Sequence, residues 1–276
     1  MSHRRHLIIP ALIWAVLAVV LDVLLVLVLH LPPGYATTTA SDQTVTGQVF
    51  SIIGGDIFFA VVIFGLYFIM QFSRYPNRER VPGARNNLPV QATWLSASFV
   101  LVMFAAGFGV IELEGQTSPS LVVPASALAS GAANHPLIVQ VIAQQWQFTY
   151  RYPQYGGFET QQLRIPVDRL IQFDVTSLDV THQFWAYQLG IKLDANSGVN
   201  NVGYAYVLKP TVIDVRCGEL CGLWHGYMTD VGEQAGKALS TASFNSWLSY
   251  AESYYGPEES QLPKFSLTYF PQPLTY

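Results

Sequence analysis

The chain has 276 residues, of which 51% are hydrophobic and only 12% are charged, and its mean hydropathy is +0.29. This composition is unusual for a purely soluble protein and is typical of a membrane part joined to one globular head of ordinary size. A net charge of −4, a pI of about 5.8 and the lack of any Lys/Arg cluster in the C-terminal region argue against nucleic acid as a partner.

Three apolar runs, residues 7–29, 52–72 and 94–113, are each long enough to cross a bilayer as a helix of about 20 residues. Arg4 and Arg5 precede the first run, and the connection between the second and third contains Arg74, Arg78, Arg80 and Arg85. The positive-inside rule places both basic segments in the cytoplasm. Residues 1–114 are therefore predicted to be a multi-pass region of a plasma or inner membrane, with the N-terminus cytoplasmic and the rest periplasmic or extracellular.

The first run has a second interpretation as a cleaved signal peptide, because small residues follow it between Ala36 and Ala40. An uncleaved anchor is favoured, since the apolar part of a signal is only about 7 to 15 residues long. Asp22 lies near the middle of this run, where an acidic side chain costs roughly 2.5 to 3.5 kcal/mol. It is expected to hydrogen-bond a neighbouring helix, or alternatively to handle protons beside another subunit.

Residues 115–135 are rich in Ser, Ala, Gly and Pro, which predicts a linker or an extended strap. From Pro136, short runs rich in β-branched and aromatic residues alternate with Pro, Gly and Asn breaks. That pattern predicts a small antiparallel β-barrel or sandwich over residues 136–240. Residues 241–276 are predicted to form a C-terminal helix followed by an extended tail. The fold class is thus a membrane-anchored α+β protein.

The chemistry of the chain is concentrated in the segment RCGELCGLWHGYM, which contains its two cysteines, Cys217 and Cys221, followed by His225 and Met228. Thiolate, imidazole and thioether are soft ligands that select copper over magnesium, calcium or manganese. A mononuclear blue-copper site uses one Cys, so the second is surplus unless two sulfurs bridge two metals. Two coppers need a second imidazole, and His182 is the only other histidine in this polar and aromatic region.

Two other interpretations of the cysteines are a disulfide, which suits an oxidising compartment, and a zinc site. Neither of these accounts for Met228 or for the distant His182. Copper is therefore the favoured prediction.

These residues resemble subunit II of the haem-copper respiratory oxidases, whose motif C-x-E-x-C-x-x-x-H-x-x-M follows an upstream D-V-x-H. The two motifs read CGELCGLWHGYM and DVTH here, and the resemblance covers roughly residues 50 to 250. It implies a cupredoxin-like head that holds a dinuclear copper centre, CuA. The ligands that it implies are bridging Cys217 and Cys221, terminal His182 and His225, axial Met228, and the backbone carbonyl of Glu219.

The resemblance also assigns roles around the copper. Trp146, in QQWQFTYRYP, matches a tryptophan at which electrons arrive from cytochrome c or a small copper protein. The carboxylate of Glu219 is implied to help bind magnesium at the interface with the haem-bearing subunit I. Lys192 and Asp194 match the family as well, whereas residues 197–199 replace its P-G-R and change the local interface.

One departure concerns proton uptake. In the family the second helix of a two-helix hairpin often opens with a glutamate three residues before a tryptophan, near the mouth of a proton path. Here Gln91 stands at that spacing before Trp94. Because an amide does not titrate near neutral pH, proton uptake is predicted not to depend on position 91. Glu79 or a residue of the partner subunit is expected to substitute.

The implied function is the electron-input subunit of a respiratory terminal oxidase, which passes electrons to haem in subunit I for oxygen reduction coupled to proton pumping. The chain is then one subunit of an oxidoreductase, with lipid and other oxidase subunits as partners, and holds no complete active site. The alternatives are the CuA subunit of a nitric oxide reductase and, in another class, a membrane-anchored copper chaperone. Such chaperones usually have Pro after the second Cys and one anchor, where this chain has Gly222 and three apolar runs.

Overall fold

A computed structural model describes residues 3–28, 36–74, 87–129, 131 and 134–259 of the chain. Predictions that concern Glu79, the arginines at 78, 80 and 85, and the tail from residue 260 lie outside these residues. The chain divides into two compact units. The membrane unit comprises Met1–Leu31 and Val45–Val110, and the head unit comprises Pro32–Thr44 and Ile111–Tyr276.

Three long helices carry the apolar runs: α1 (His3–Val28), α2 (Thr38–Arg74) and α3 (Leu88–Thr117). Each is long and apolar enough to cross a membrane, and most of their large apolar side chains are exposed, as lipid-facing side chains are. The three predicted helices are therefore confirmed. The second begins at Thr38 rather than near residue 52, because its first turns are polar and a search for apolar runs does not find them.

Within the membrane unit, α1 packs antiparallel along α2. Near the start of α1 the buried His6 Nδ1 lies 3.0 Å from the hydroxyl of Tyr67, which is near the end of α2. Farther along α1, the indole N–H of Trp14 donates to the carbonyl of Asp56 at 2.9 Å. Buried polar side chains thus fix the register of this helix pair, since each would otherwise lack a partner in lipid. Asp22 is half-buried on α1, and its role stays a prediction.

The start of α2 and the residues just before it belong to the head unit. The hydroxyl of Thr37 donates to the carbonyl of Leu189 at 2.8 Å, and the side-chain amide of Gln43 donates to the carbonyl of Gly190 at 2.8 Å. Gly190 has a φ of +68°, and a Cβ at that position would lie 2.9 Å from the backbone of Ala40. Glycine is therefore required for this close approach of helix and head.

The described residues of the head unit form twelve strands in three sheets. The sheets have the strand orders β3-β2-β1-β5-β8, β11-β10-β6-β7 and β4-β12-β9. The strands are β1 Leu137–Gln144, β2 Gln147–Arg151, β3 Glu159–Thr160, β4 Arg164–Pro166, β5 Leu170–Ser177, β6 His182–Ala186, β7 Ile191–Ala195, β8 Asn201–Tyr206, β9 Thr211–Ile213, β10 Val215–Cys217, β11 Thr229–Asp230 and β12 Gly236–Leu239.

The core lies between the five-stranded and four-stranded sheets. Phe184 of β6 packs against Phe148 of β2 and Phe173 of β5, with ring centroids 5.9 and 5.4 Å apart, and all three side chains are buried. Because side chains alternate along a strand, His182 lies on the same inward side of β6 as Phe184 and is fully buried. The β-sandwich prediction is confirmed, and it places an imidazole at the edge of the core.

The sequence predicted an antiparallel sandwich, and this detail is wrong for two strand pairs. β1 pairs with β5 in parallel, and β12 pairs with β4 in parallel. A parallel pair needs a crossover connection rather than a tight hairpin. The chain between β1 and β5, which contains β2 to β4, supplies that crossover for the first pair. Alternation of apolar residues predicts strands and their buried faces, but it does not report the direction of their neighbours.

The predicted linker is more ordered than an extended strap. It contains two single-turn helices, α4 (Pro119–Val122) and α5 (Ala125–Leu128), and Val122 packs with Tyr206 of β8 in a small apolar cluster. After β12 comes a helix, α6 (Thr241–Glu259), which begins at the residue where the sequence predicted one. Trp247 of α6 packs edge-on against Tyr152 at 5.3 Å and so covers one end of the core.

Candidate metal centre

Two adjacent strands bring the candidate ligands together. β6 opens with His182 and pairs antiparallel with β10, which ends at Cys217. The chain then leaves the sheet in a loop that contains Cys221 and His225, and it returns through Met228 into β11. The backbone N–H of Cys217 donates to the carbonyl of Met228 at 3.0 Å and closes this loop. A residue 35 positions upstream of Cys217 is thereby held beside it.

The side chains of this centre form a continuous series of close separations. The Sγ atoms of Cys217 and Cys221 are 3.8 Å apart. The Nδ1 atom of His182 lies 3.8 Å from the Sγ of Cys217, and the Nδ1 of His225 lies 3.5 Å from the Sγ of Cys221. The Sδ of Met228 lies 3.9 Å from the Sγ of Cys221. The two thiols are thus central, with one imidazole contacting each of them.

The two cysteines are free and buried, and a sulfur–sulfur separation of 3.8 Å is far longer than a disulfide bond. Burial, and secondarily the neighbouring Cys217, raise the pKa of the Cys221 thiol to about 12. A buried thiol of this kind gains a stable thiolate only when a cation replaces its proton. The ligand atoms of His182, Cys217 and Cys221 all lie within 4.8 Å of one another, which fits a metal ion.

His182 is oriented from behind by a carboxylate that the sequence analysis did not assign. Its Nε2 lies 2.7 Å from Oδ1 of Asp179, so its Nδ1 faces Cys217. Burial tends to raise the pKa of Asp179, but the backbone N–H of Gln145, His182 and the N–H of Val180 together lower it below its ordinary value. A carboxylate that holds the second ring nitrogen is the usual partner of a metal-binding histidine. The Asp of the DVTH motif is the signal that could have identified it.

Glu219 contributes its backbone and not its side chain to the centre. Its carbonyl oxygen lies 3.2 Å from the Sγ of Cys217, whereas its side chain is exposed. The preceding Gly218 is packed closely on the side-chain amide of Gln183, so a Cβ at that position would displace this amide. The turn between the cysteines places the Glu219 carbonyl next to the Cys217 thiol.

Trp146 lies in the turn between β1 and β2, beside the cysteine loop. The ring is half-buried and packs edge-on against Trp224 at 6.5 Å, and Trp224 packs against Tyr227 at 5.6 Å. Trp224 and Tyr227 are 49% and 77% exposed, so the outer part of this aromatic group faces solvent. Neither residue could be assigned from the sequence, because nothing in their spacing distinguishes a functional surface aromatic in a loop from an ordinary one.

The other residues singled out in the sequence lie elsewhere. The ammonium of Lys192 on β7 lies 4.6 Å from the ring centroid of Trp185, and Asp194 accepts a hydrogen bond from Gln183 at 2.6 Å. Both residues belong to the exposed face of the four-stranded sheet. Gln91 is exposed in the first turn of α3, where its backbone N–H donates to the carbonyl of Asn87.

The part of the chain that contains the candidate metal centre is similar to known proteins. Residues 158–235 match the family model described as cytochrome c oxidase subunit II, periplasmic domain. Over 172 residues the chain is 31% identical to cytochrome c oxidase subunit 2 of Pneumocystis carinii, a match that covers 50% of this chain and 69% of that protein.

Two further similarities are shorter. The chain is 30% identical over 138 residues to cytochrome c oxidase subunit 2 of Bacillus subtilis, a match that covers 48% of this chain and only 38% of that protein. The crystal structure of the periplasmic domain of subunit II of the Bradyrhizobium japonicum cytochrome oxidase is 28% identical. It aligns with a TM-score of 0.40 over 43% of this chain and 95% of that one.

Proposed function

We propose that this chain, which belongs to the cytochrome c oxidase subunit II family, is the electron-input subunit of a respiratory haem-copper oxidase. Members of the family carry copper, and this chain contains a His/Cys/Cys group that could hold a metal. The observation that carries the proposal is the unbroken series from His182 through both cysteines to His225, in which every separation is 3.8 Å or less.

We infer that the centre holds two copper ions. Two central thiols with one imidazole contacting each of them suit a pair of metals bridged by sulfur, and a single ion would leave one thiol and one imidazole surplus. Met228 and the carbonyl of Glu219 would supply weaker ligands to such a pair. When bound, copper supplies reversible one-electron transfer, which none of these side chains provides by itself.

The protein contributes rigidity and dryness to that chemistry. His182 and Met228 are fully buried and Cys217 and Cys221 nearly so, which excludes water from the sulfur side of the centre. The pairing of β6 with β10 fixes two of the ligands, and the hydrogen bond from Cys217 to Met228 fixes the loop between them. Ligands held by a sheet move little when a bound metal gains or loses an electron, which favours rapid electron transfer.

Electrons are proposed to arrive through Trp146 from cytochrome c or a small copper protein on the outer side of the membrane. The support is its position beside the cysteine loop and its contact with the exposed Trp224. The exposed carboxylate of Glu219 remains available to a partner subunit or to a hard cation such as magnesium. The matched relatives are cytochrome c oxidase subunits, so neither nitric oxide reduction nor copper delivery is proposed.

Copper analysis of the intact chain, purified in detergent, tests this function. We expect two copper ions per chain. In the half-reduced form, the electron paramagnetic resonance spectrum should show one unpaired electron shared equally by the two copper ions. That sharing follows from the bridging role assigned to Cys217 and Cys221. A single copper ion per chain, or an unpaired electron localised on one copper ion, would contradict the dinuclear assignment.

A further inference from the structure

Gln145 bonds to two parts of the candidate centre, the His182 arm through Asp179 and the Cys221 arm through the backbone of the cysteine loop. It lies between β1 and β2, immediately before Trp146, and its side chain is exposed. Its backbone N–H donates to Oδ2 of Asp179 at 2.7 Å, and the other oxygen of Asp179 lies 2.7 Å from Nε2 of His182. Its side-chain amide donates to the carbonyl of Cys221 at 2.8 Å.

The cysteine loop is shaped to meet this residue. Gly222 has a φ of +114°, and a Cβ there would lie 3.0 Å from Nε2 of Gln145 and 3.6 Å from the ring of Trp146. The loop backbone therefore rests directly on the Gln145 amide and the indole ring. Only a residue without a side chain permits both the backbone angle and the approach. The carbonyl of Cys221 accepts its hydrogen bond from the Gln145 amide.

These contacts form two branches from a single turn of backbone. One branch runs from the Gln145 N–H through Asp179 to His182, and the other runs from its side-chain amide to the backbone of Cys221. His182 belongs to β6 and Cys221 to a loop that is bonded to β6 through Gly218, so Gln145 adds a further connection at Cys221 itself. A residue bonded to both branches limits how far the loop can move from the sheet.

We propose that Gln145 is a positioning residue that fixes the spacing between the His182 and Cys221 arms and holds the Trp146 ring against the loop. This inference rests on the proposed copper function, and it adds to the binding set a residue that is not itself a ligand. The backbone branch is present with any side chain except proline. The contribution of the Gln145 side chain is therefore its donation to Cys221, which a substitution can remove selectively.

Gln145→Met removes this donor while it keeps nearly the same length and volume. The matched control is Gln147→Met, because Gln147 is exposed on the neighbouring strand and its side chain bonds to Gln161 rather than to the centre. Loss of a residue that hydrogen-bonds to a metal ligand typically lowers metal affinity by about 10- to 100-fold. We expect Gln145→Met to weaken copper binding by about tenfold and to alter the copper hyperfine pattern.

The measurements are competitive copper titration and electron paramagnetic resonance of the full chain in detergent, so no donor protein is needed. If Gln145→Met proves unstable, Gln145→Glu at neutral pH also lacks the donor and is expected to show the same changes. The control should match the wild-type chain. A wild-type chain that binds no copper would overturn the proposed function and this inference together. A loaded wild type whose affinity and spectrum are unchanged in Gln145→Met would overturn the inference alone.

Discussion

Single residues around the sulfurs decide how the candidate ligands are presented. The imidazole of His182 has only one nitrogen available to a metal, because Asp179 occupies the other at 2.7 Å. The carboxylate also accepts the N–H of Gln145 and of Val180. A side chain with this many bonds cannot turn without breaking several of them, so the ring that it holds is fixed as well.

Asp179→Asn should lower copper affinity by about 10- to 100-fold without unfolding the head. An amide at this position can donate to Nε2 of His182, which favours the tautomer with its proton on Nδ1, where the metal must bind. Copper titration measures the effect, and Asp168→Asn is the control because Asp168 is exposed and has a φ of 56°, which Asn tolerates. Equal copper affinities in the two variants would show that Asp179 does not help to hold the metal.

Trp146→Ala should leave the copper content unchanged and slow reduction by the protein donor by about an order of magnitude, the cost of losing a central aromatic contact. The reason is that the ring contacts Trp224 and the cysteine loop but lies outside the series of ligand atoms. Stopped-flow reduction by cytochrome c measures it. An unchanged rate with unchanged donor affinity would mean that Trp146 is only a packing residue.

At the scale of elements, a buried hydrogen bond joins the five-stranded sheet to the four-stranded sheet. The hydroxyl of Tyr150 on β2 donates to Oδ2 of Asp230 on β11 at 2.5 Å. Burial raises the pKa of Asp230 to about 6, while the bond from Tyr150 acts in the opposite direction. β11 is only two residues long, and this bond adds to its pairing with β10.

Tyr150→Phe should lower the free energy of unfolding by about 1 to 3 kcal/mol, because the Asp230 carboxyl then loses its buried donor. Chemical denaturation of the metal-free chain, followed by tryptophan fluorescence, measures it. Tyr250→Phe on α6 is the matched control, since Tyr250 is 59% exposed. A loss no larger than that of the control would show that water replaces the hydroxyl.

β5 carries a buried carboxyl whose cost depends on pH. Burial raises the pKa of Asp174, and bonds from Gln172 and Asn200 offset this only in part. The folded state therefore holds the proton of Asp174 more tightly than the unfolded state does. By linkage, the contribution of Asp174 to stability is most favourable below the unfolded pKa of about 3.9 and falls as pH rises through the folded pKa.

Asp174→Asn should therefore gain stability relative to wild type as pH rises above about 4, and the two should differ least below that value. The amide stays neutral throughout, so it never bears the cost of a buried charge. Thermal unfolding across this pH range measures the difference. The exposed Glu252→Gln on α6 is the comparison, and a gap that narrows with rising pH would reverse the sign of this assignment.

At the scale of the whole molecule, charge sets how a donor approaches. After residue 114 the sequence contains twelve acidic and eight basic residues, a balance of −4. A cationic donor should be steered weakly, and its association rate should fall modestly as salt rises, because ions screen the attraction. Stopped-flow rates at several ionic strengths measure this. Rates that rise with salt would indicate a neutral or acidic donor that docks through the exposed Trp224 and Tyr227.

The start of α2 and the residues just before it also matter at this scale. Thr37 and Gln43 bond to the head, and Ala36 and Ala40 are buried in it. A head produced from residue 115 onward lacks these contacts, so the intact chain is the better material for every measurement above. The small residues that suggested a cleavage site for a signal peptide are therefore also packing residues of the head.

The sequence by itself determined the features whose information is local. Run length and hydropathy predicted three helices, and the spacing from Cys217 to Met228 predicted a soft metal site, because those ligands share one short loop. Only the tertiary structure decided the rest: the parallel pairing of β1 with β5, the docking of Thr37, and the joint hold of Gln145 and Asp179 on His182. These depend on sheet register and packing between distant segments, since a residue's neighbours in space are fixed only when the whole head folds.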